Sequence, residues 1–253
     1  MNRTRILSAL LGALSASGCG AASGSMHVET IASVRGDARD GAWALEARAF
    51  RTVASAAMAK NGFRLIVTPI SDGSIGEVPL LDATAPTESF LGLNQYDADR
   101  QRRKLQRQAE GALAQLEART RVGNRTEIIN AIVGALDRFE SDHVYPRRLL
   151  IILSNGFEQS SIVNMGDYDL KLNLPAIRQR LIDHLKATGQ IVDLHGTDVC
   201  MIGTTNGDGH WADYNRMRGV RQFWNDYFAA SGAAYIGIGP TIESCAPIAT
   251  QGQ

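Results

Sequence analysis

Residues 149–153 form an unbroken apolar run, Leu-Leu-Ile-Ile-Leu, which ends at a Ser-Asn-Gly turn. A strand of this kind is covered on both faces, as at the centre of a parallel sheet. Further strands are predicted at 63–70, 198–202 and 233–238, and stretches with helical spacing lie between most of them. Because parallel neighbours need long crossover connections, this alternation predicts an α/β fold with a doubly wound, mostly parallel sheet and helices on both faces.

The helices are predicted from apolar residues that recur every three or four positions. They span residues 40–60, 97–119, 126–139, 174–188 and 215–230. The long region 71–96 is rich in Gly, Pro, Ser and Thr and contains one short apolar piece, 78–81. Loops of this length are usually functional or hold a small strand. The pattern shows no internal repeat and no second domain.

Composition excludes several classes of function. The 253 residues are 44% hydrophobic, which predicts a folded core. Lys and Arg together number 26, as do Asp and Glu, so the formal net charge is zero. Phosphate binding needs a basic excess or stripe, and we therefore expect no nucleic-acid partner. No apolar run approaches the roughly 18 residues that span a bilayer, which argues against a polytopic membrane protein.

The amino-terminal residues have the layout of a secretory signal, with two arginines, a short apolar stretch and then small residues. Residues 1–18 are the predicted signal peptide. The small side chains at 16–18 precede Cys19 and resemble the lipobox of bacterial lipoproteins. In that family the cysteine thiol carries a diacylglycerol, and acyl chains such as palmitate hold the protein at a membrane. A simple secretory signal that is cut at a nearby alanine is the alternative.

The signal predicts how the exported chain is organised. Residues 19–36 are expected to form the lipidated cysteine and a flexible tether, because Gly, Ala and Ser are frequent there. Residues 37–253 are expected to form a single α/β domain in the cell envelope, facing the periplasm or another extracytoplasmic space. Cys200 and Cys245 would then meet an oxidising compartment, where they form a disulfide or remain two buried thiols.

The chain contains two motifs, Arg-Thr-Glu-Ile-Ile-Asn-Ala-Ile at 125–132 and Leu-Ile-Ile-Leu-Ser-Asn-Gly-Phe-Glu at 150–158, preceded by a strand and a long helix. These motifs and their order resemble a von Willebrand factor A domain. The segment at 220–228 is similar to a helix in bacterial proteins of the same broad family. The resemblance covers about residues 62–240 and implies a divalent metal that is held by three loops and completed by a partner's carboxylate.

The resemblance transfers to this chain only in part. Thr126 matches the threonine of the second loop, and Asn155 stands where the third loop usually has an aspartate. The first loop, read at 68–74, lacks the aspartate that should follow the strand directly. We therefore predict a degenerate metal site and no cofactor. If Mg²⁺ or Mn²⁺ does bind, Asp72, Ser74, Thr126 and Asn155 are the expected ligands.

These features predict a lipid-anchored, protein-binding module without catalysis. By analogy with the family, the partner is expected at a rim formed by loops 68–76, 154–161 and 203–213. The alternative is an envelope hydrolase or transferase that uses the same rim, with His195 or His210 as acid or base. The sequence has no Gly-x-Ser-x-Gly elbow, and its histidines are scattered.

Overall fold

The computed structural model describes most of the chain between residues 25 and 245. The described ranges are 25–33, 41–58, 62–74, 76–85, 95–119, 125–142, 144–167, 169–204 and 214–245. The predicted signal peptide and Cys19 therefore lie outside the described residues, as does most of the 203–213 loop with His210.

Strands and helices alternate along the described chain. The strands are β1 (Met26–Ser33), β2 (Phe63–Ile70), β3 (Leu81–Ala85), β4 (Arg147–Leu153), β5 (Thr197–Ile202) and β6 (Tyr235–Gly239). The helices are α1 (Gly41–Met58), α2 (Gln95–Ala118), α3 (Ile128–Ser141), α4 (Pro175–Ala187) and α5 (Tyr214–Ala230), followed by a 3₁₀ turn at Ile242–Cys245. None of the described helices is long and apolar enough to cross a membrane.

The described strands form one six-stranded sheet in the order β3-β2-β1-β4-β5-β6. Every neighbouring pair is parallel except β2 and β3, which are antiparallel. The chain builds the sheet outward from β1 in one direction and from β4 in the other. This order is that of a doubly wound α/β fold, so the predicted fold class is confirmed.

Helices cover both faces of the sheet and divide the core into two layers. Helices α1 and α2 pack on one face, together with Leu149, Ile151 and Leu153 of β4. Helices α3, α4 and α5 pack on the other face, together with Leu150 and Ile152. Both sets of β4 side chains are therefore buried, which explains why this strand is apolar at every position from 149 to 153.

The prediction of a flexible tether at 19–36 is wrong for residues 26–33. Met26–Ser33 is β1, which lies between β2 and β4 at the centre of the sheet and is buried along its whole length. Sequence reasoning took residues 63–70 for the first strand, whereas they form the second. The physical reason is that His27 and Glu29 interrupt the apolar pattern of β1, and the partner of Glu29 on α3 is distant in sequence.

Two polar side chains of β1, those of His27 and Glu29, belong to a buried network with α3. The Nε2 atom of His27 lies 3.0 Å from Glu29 Oε1. The guanidinium of Arg138 on α3 donates from Nε to Glu29 Oε2 at 3.0 Å and from Nη2 to Thr68 Oγ1 on β2 at 3.2 Å. The side chains of His27 and Glu29 are fully buried. A charge on a central strand thus depends on a partner more than 100 residues away in sequence.

Cys200 and Cys245 are joined by a disulfide, with their Cα atoms 5.7 Å apart. The bond links β5 to the 3₁₀ turn that follows β6. Tyr235 supports the same arrangement, because its hydroxyl donates to the Ser244 carbonyl at 2.8 Å. The 3₁₀ turn approaches so closely that a Cβ atom at Gly237 would clash with the Ser244 backbone. The segment after β6 is therefore fixed against one face of the sheet.

Candidate functional site

The crevice at the carboxyl ends of β1 and β4 is where a doubly wound sheet normally binds its ligand, because the chain connections diverge there. Its floor consists of two buried serines. Ser33 at the end of β1 donates from Oγ to Ser154 Oγ at 2.8 Å. Ser154 Oγ also accepts the Gly156 N–H at 3.2 Å. Both hydroxyls therefore hold the strand ends together.

A buried carboxyl group from α1 lies beside this floor. Glu46 is fully buried, and its carboxyl group lies against the backbone of Gly203 after β5. A Cβ atom at Gly203 would clash with that carboxyl group and would lie 2.9 Å from the Ser154 carbonyl oxygen. Gly203 also has a φ of +104°, which side chains other than that of glycine rarely allow. Glycine is therefore required at this position by both space and conformation.

The loop after β4 caps the amino terminus of α3. Glu127, the first residue before the helix, makes no side-chain capping bond. The Glu158 carboxylate takes that role, because its Oε2 accepts the N–H of Ile128 at 2.7 Å and that of Ile129 at 3.1 Å. Two unpaired N–H groups of the helix are thereby satisfied, and the negative charge faces the positive end of the helix dipole.

Burial sets the protonation of this cap. Removal of the Glu158 carboxyl group from water raises its pKa from the ordinary 4.5 to about 7, although the two backbone N–H groups favour the charged form. Glu158 is fully buried. The group therefore titrates near neutral pH at the base of the rim.

This shift predicts that stability falls as the pH rises. The folded protein holds the Glu158 proton more tightly than the unfolded chain, so the group favours folding at low pH. That contribution is lost between about pH 4.5 and pH 7 and amounts to about 3 kcal/mol. We expect urea unfolding to show this decline in the natural protein and to lack it in Glu158→Gln. Glu140→Gln, at an exposed position on α3, is the control and should keep the decline; a Glu158→Gln variant with an unchanged pH profile would contradict the assignment.

Further bonds join the neighbouring loops to the same structure. The Gln159 N–H donates to the Thr126 carbonyl at 2.9 Å, which bridges the β4–α4 loop to the segment before α3. Trp224 on α5 donates from Nε1 to the Gly156 carbonyl at 2.7 Å. On the other side, Glu127 Oε2 accepts the Gly73 N–H of the β2–β3 turn at 3.2 Å. Two of the three predicted rim loops are thus connected through the start of α3.

The four predicted metal ligands make contacts within the protein or face solvent. Ser74 is buried and donates from Oγ to the Ser71 carbonyl at 2.8 Å. Asn155 Oδ1 accepts the Phe157 N–H at 3.1 Å. Thr126 is half-buried in the bridge to Gln159, and Asp72 is exposed in the β2–β3 turn.

These residues follow different strands. Asp72 and Ser74 follow β2, whereas Asn155 follows β4, and β1 lies between those strands. Because sequence reasoning took β2 for the first strand, it placed the first metal loop after β2. Two of the four side chains, those of Ser74 and Asn155, already bond to backbone groups of their own loops. In the described part of the chain, no group of three His, Cys, Asp or Glu side chains could hold a metal ion.

We therefore expect Mg²⁺ and Mn²⁺ to leave the thermal unfolding midpoint unchanged relative to EDTA. An ion present at 100 times its dissociation constant would stabilise the fold by about 2.7 kcal/mol, which differential scanning calorimetry detects readily. A higher midpoint that disappears in Asp72→Ala or Thr126→Ala would contradict this reading. Arg100→Ala on α2 provides a distant control.

The histidine proposed for the enzyme alternative does not lie at this rim. His195 precedes β5 and so sits at the amino edge of the sheet, opposite the crevice. Its Nδ1 contacts the carboxylate of Asp193, which lowers the pKa of that aspartate. Both side chains are exposed. The prediction that placed His195 at the rim was wrong, because a residue before a parallel strand lies at the opposite edge of the sheet from a residue after it.

Sequence reasoning missed Glu46, Glu158 and Ser33 as parts of the site. Glu46 had a visible signal, because it lies three residues after Trp43 and four before Phe50 on the apolar face of α1. Glu158 had no visible sequence signal, since nothing in a loop sequence shows that its carboxylate caps a helix 30 residues earlier. Ser33 was assigned to the tether.

Comparison with known proteins finds similarity only at the level of structure. No protein-family model matches this sequence, and no curated protein matches it significantly. One similar solved structure is the von Willebrand factor type A protein from Catenulispora acidiphila, with 12% identity, a TM-score of 0.38, and coverage of 83% of this chain and 42% of that one. The pilus adhesin SpaC from Lactobacillus rhamnosus GG is similar in two structures, with identities of 12% and 11% and TM-scores of 0.48 and 0.46.

In both SpaC structures the match covers 90% of this chain and 30% of the adhesin. The chain thus spans less than half the length of each of these structural neighbours. At such low identity the likeness concerns the fold alone.

Proposed function

We propose that this protein is a lipid-anchored binding module of the bacterial cell envelope, which holds a protein partner at the carboxyl edge of its sheet. The observation that carries the proposal is the way the rim is built. The loops after β2 and β4 are fastened to the start of α3 through Glu127 and Glu158. A surface organised before binding loses little conformational entropy when a partner docks.

The chemistry of the rim suits recognition better than catalysis. The floor hydroxyls of Ser33 and Ser154 bond to each other, and the Glu158 carboxylate is committed to a helix terminus. The β4–α4 loop also presents half-buried apolar side chains, Phe157 and Ile162, among its polar residues. A mixture of apolar and polar groups is the usual composition of a protein interface.

Site-specific photocrosslinking in cells tests the location of the partner. We place p-benzoylphenylalanine at Phe157, where it replaces an aromatic ring, and at Asp72 in the neighbouring loop. Val144 is the matched control, because it is 78% exposed and precedes β4 at the opposite edge. A discrete protein adduct from Phe157 and Asp72 and none from Val144 supports the proposal. Equal adducts from all three positions, or none from the rim, would exclude it.

Anchoring by Cys19 is the second part of the proposal and rests on the lipobox-like sequence before that residue. Several acyl chains, each contributing about 0.8 kcal/mol per buried methylene, would hold the domain at a membrane. Cys19→Ser is therefore expected to abolish incorporation of labelled palmitate and to move the protein into the soluble fraction. Ser17→Ala provides the control. A Cys19→Ser protein that remains in the membrane fraction would contradict the anchor.

A further inference from the structure

A groove of about 540 Å³ lies between α5 and the edge strand β6. Its wall on α5 includes Arg218, Arg221 and Asn225, and its floor includes Ile236 and Ile238 of β6. The two isoleucines are only partly buried, although their side chains join the core layer under α5. The groove therefore combines an apolar floor with a basic and polar wall.

The strand that forms the floor has a free edge in the described structure. Within the described sheet, β6 pairs only with β5, so its outer backbone groups have no strand partner there. The 3₁₀ turn at Ile242–Cys245 packs on the other face of β6 and is held there by the disulfide to Cys200. This segment therefore does not cover the α5 side. An exposed sheet edge of this kind can accept an extended peptide as a further strand.

The charge of the groove selects the kind of peptide. Arg178 at its far end is neutralised, because its Nε donates to Asp226 Oδ2 at 2.7 Å. Among the described residues, no carboxylate forms a salt bridge with Arg218 or Arg221. Two positive charges beside an apolar floor favour a ligand that carries both acidic and apolar side chains.

We propose that this groove binds an extended, acidic segment of another polypeptide, which pairs with the free edge of β6. Its apolar side chains contact Ile236 and Ile238, and its carboxylates pair with Arg218 and Arg221. The backbone bonds supply affinity, and the arginines select for acidic sequences. None of the residues that line the groove belongs to the rim loops, so the protein would bind the segment whether or not the rim proposal holds.

Fluorescence anisotropy with a defined probe tests the charge selection. The probe is a capped, fluorescein-labelled peptide, Glu-Glu-Val-Val-Glu-Glu-Val-Val, which presents both residue types on each face when extended. We expect the mature chain to bind it and Arg218→Glu/Arg221→Glu to bind it at least about tenfold more weakly. Arg100→Glu/Arg103→Glu makes the same charge change at exposed positions on α2 and should alter binding less than about twofold. Arg218→Gln/Arg221→Gln removes the charges without reversing them and should give an intermediate loss.

Two further measurements separate strand pairing from general charge attraction. Methylation of alternate peptide nitrogens in the probe removes the donors that β6 would need and should weaken binding at least about tenfold. The bound probe should also slow hydrogen exchange at the β6 amides. No binding by the unmodified chain, an equal loss in both glutamate double variants, or unchanged affinity of the methylated probe would each overturn the proposal.

Discussion

Replacement of Glu29 by alanine is expected to lower the free energy of unfolding by about 3–5 kcal/mol. Glu29 is fully buried at the centre of the sheet and accepts from Arg138 Nε at 3.0 Å, with His27 Nε2 also 3.0 Å away. The alanine variant keeps the Arg138 guanidinium in place, with its side chain 22% exposed, but removes the carboxylate that compensates it. A charge left in a largely apolar environment without its partner is costly. Urea unfolding of the Cys19→Ser protein measures the change.

A surface ion pair provides the control for this prediction. The Nε–H of Arg51 donates to both carboxylate oxygens of Glu110, but the two side chains are 51% and 44% exposed. Glu110→Ala should therefore cost less than about 1 kcal/mol. The double variant Glu29→Leu/Arg138→Met should be more stable than Glu29→Ala, because it removes both charges together. A loss below 1 kcal/mol in Glu29→Ala would contradict the role assigned to the network.

Loss of the disulfide is expected to destabilise the protein by about 4 kcal/mol. The two cysteines are 45 residues apart in sequence, and a cross-link of that span removes substantial entropy from the unfolded chain. The bond also holds the 3₁₀ turn against β6, so its loss should loosen the sheet edge. We expect Cys200→Ala/Cys245→Ala to show this loss in urea unfolding.

Treatment with a reductant tests the same disulfide without a substitution at Cys200 or Cys245. The chain has three cysteines, so Cys19→Ser leaves only the bonded pair. Dithiothreitol should lower the unfolding midpoint of that protein and leave the double alanine variant unchanged. Thiol titration in denaturant without reductant should find no free thiol. Two titratable thiols per chain, or insensitivity to dithiothreitol, would contradict the bond.

The sequence predicts those elements whose side chains follow a clear apolar pattern. The residues of β2 were predicted at 63–70, and α1, α4 and α5 were placed within about one or two residues of their observed ends. The prediction failed at β1, where His27 and Glu29 interrupt the apolar pattern. Their compensation comes from Arg138, which is distant in sequence. The prediction was also wrong about the position of β3. Leu81–Ala85 alternates between buried and exposed residues, so the strand extends beyond the apolar piece at 78–81.

The site, like the fold, was predicted where it depends on local sequence and missed where it depends on tertiary contacts. The loops near residues 71–74 and 154–161 do lie at the carboxyl edge, because they directly follow parallel strands. Because β1 was omitted, the first metal loop was placed after β2, so Asp72 and Ser74 were named from a loop one strand further along the sheet. The contribution of Glu158 depends on a tertiary contact with the start of α3, which no local sequence pattern reveals.

The measurement that tests the central claim most directly is the comparison of photocrosslinking from Phe157 and from Val144, repeated on solubilised membranes in EDTA. A partner that docks on a preorganised, metal-free rim predicts a discrete adduct from Phe157 that persists in EDTA, and no adduct from Val144. An adduct that disappears in EDTA and returns with Mg²⁺ would contradict the metal-free account. Equal yields from the two positions would contradict the rim itself.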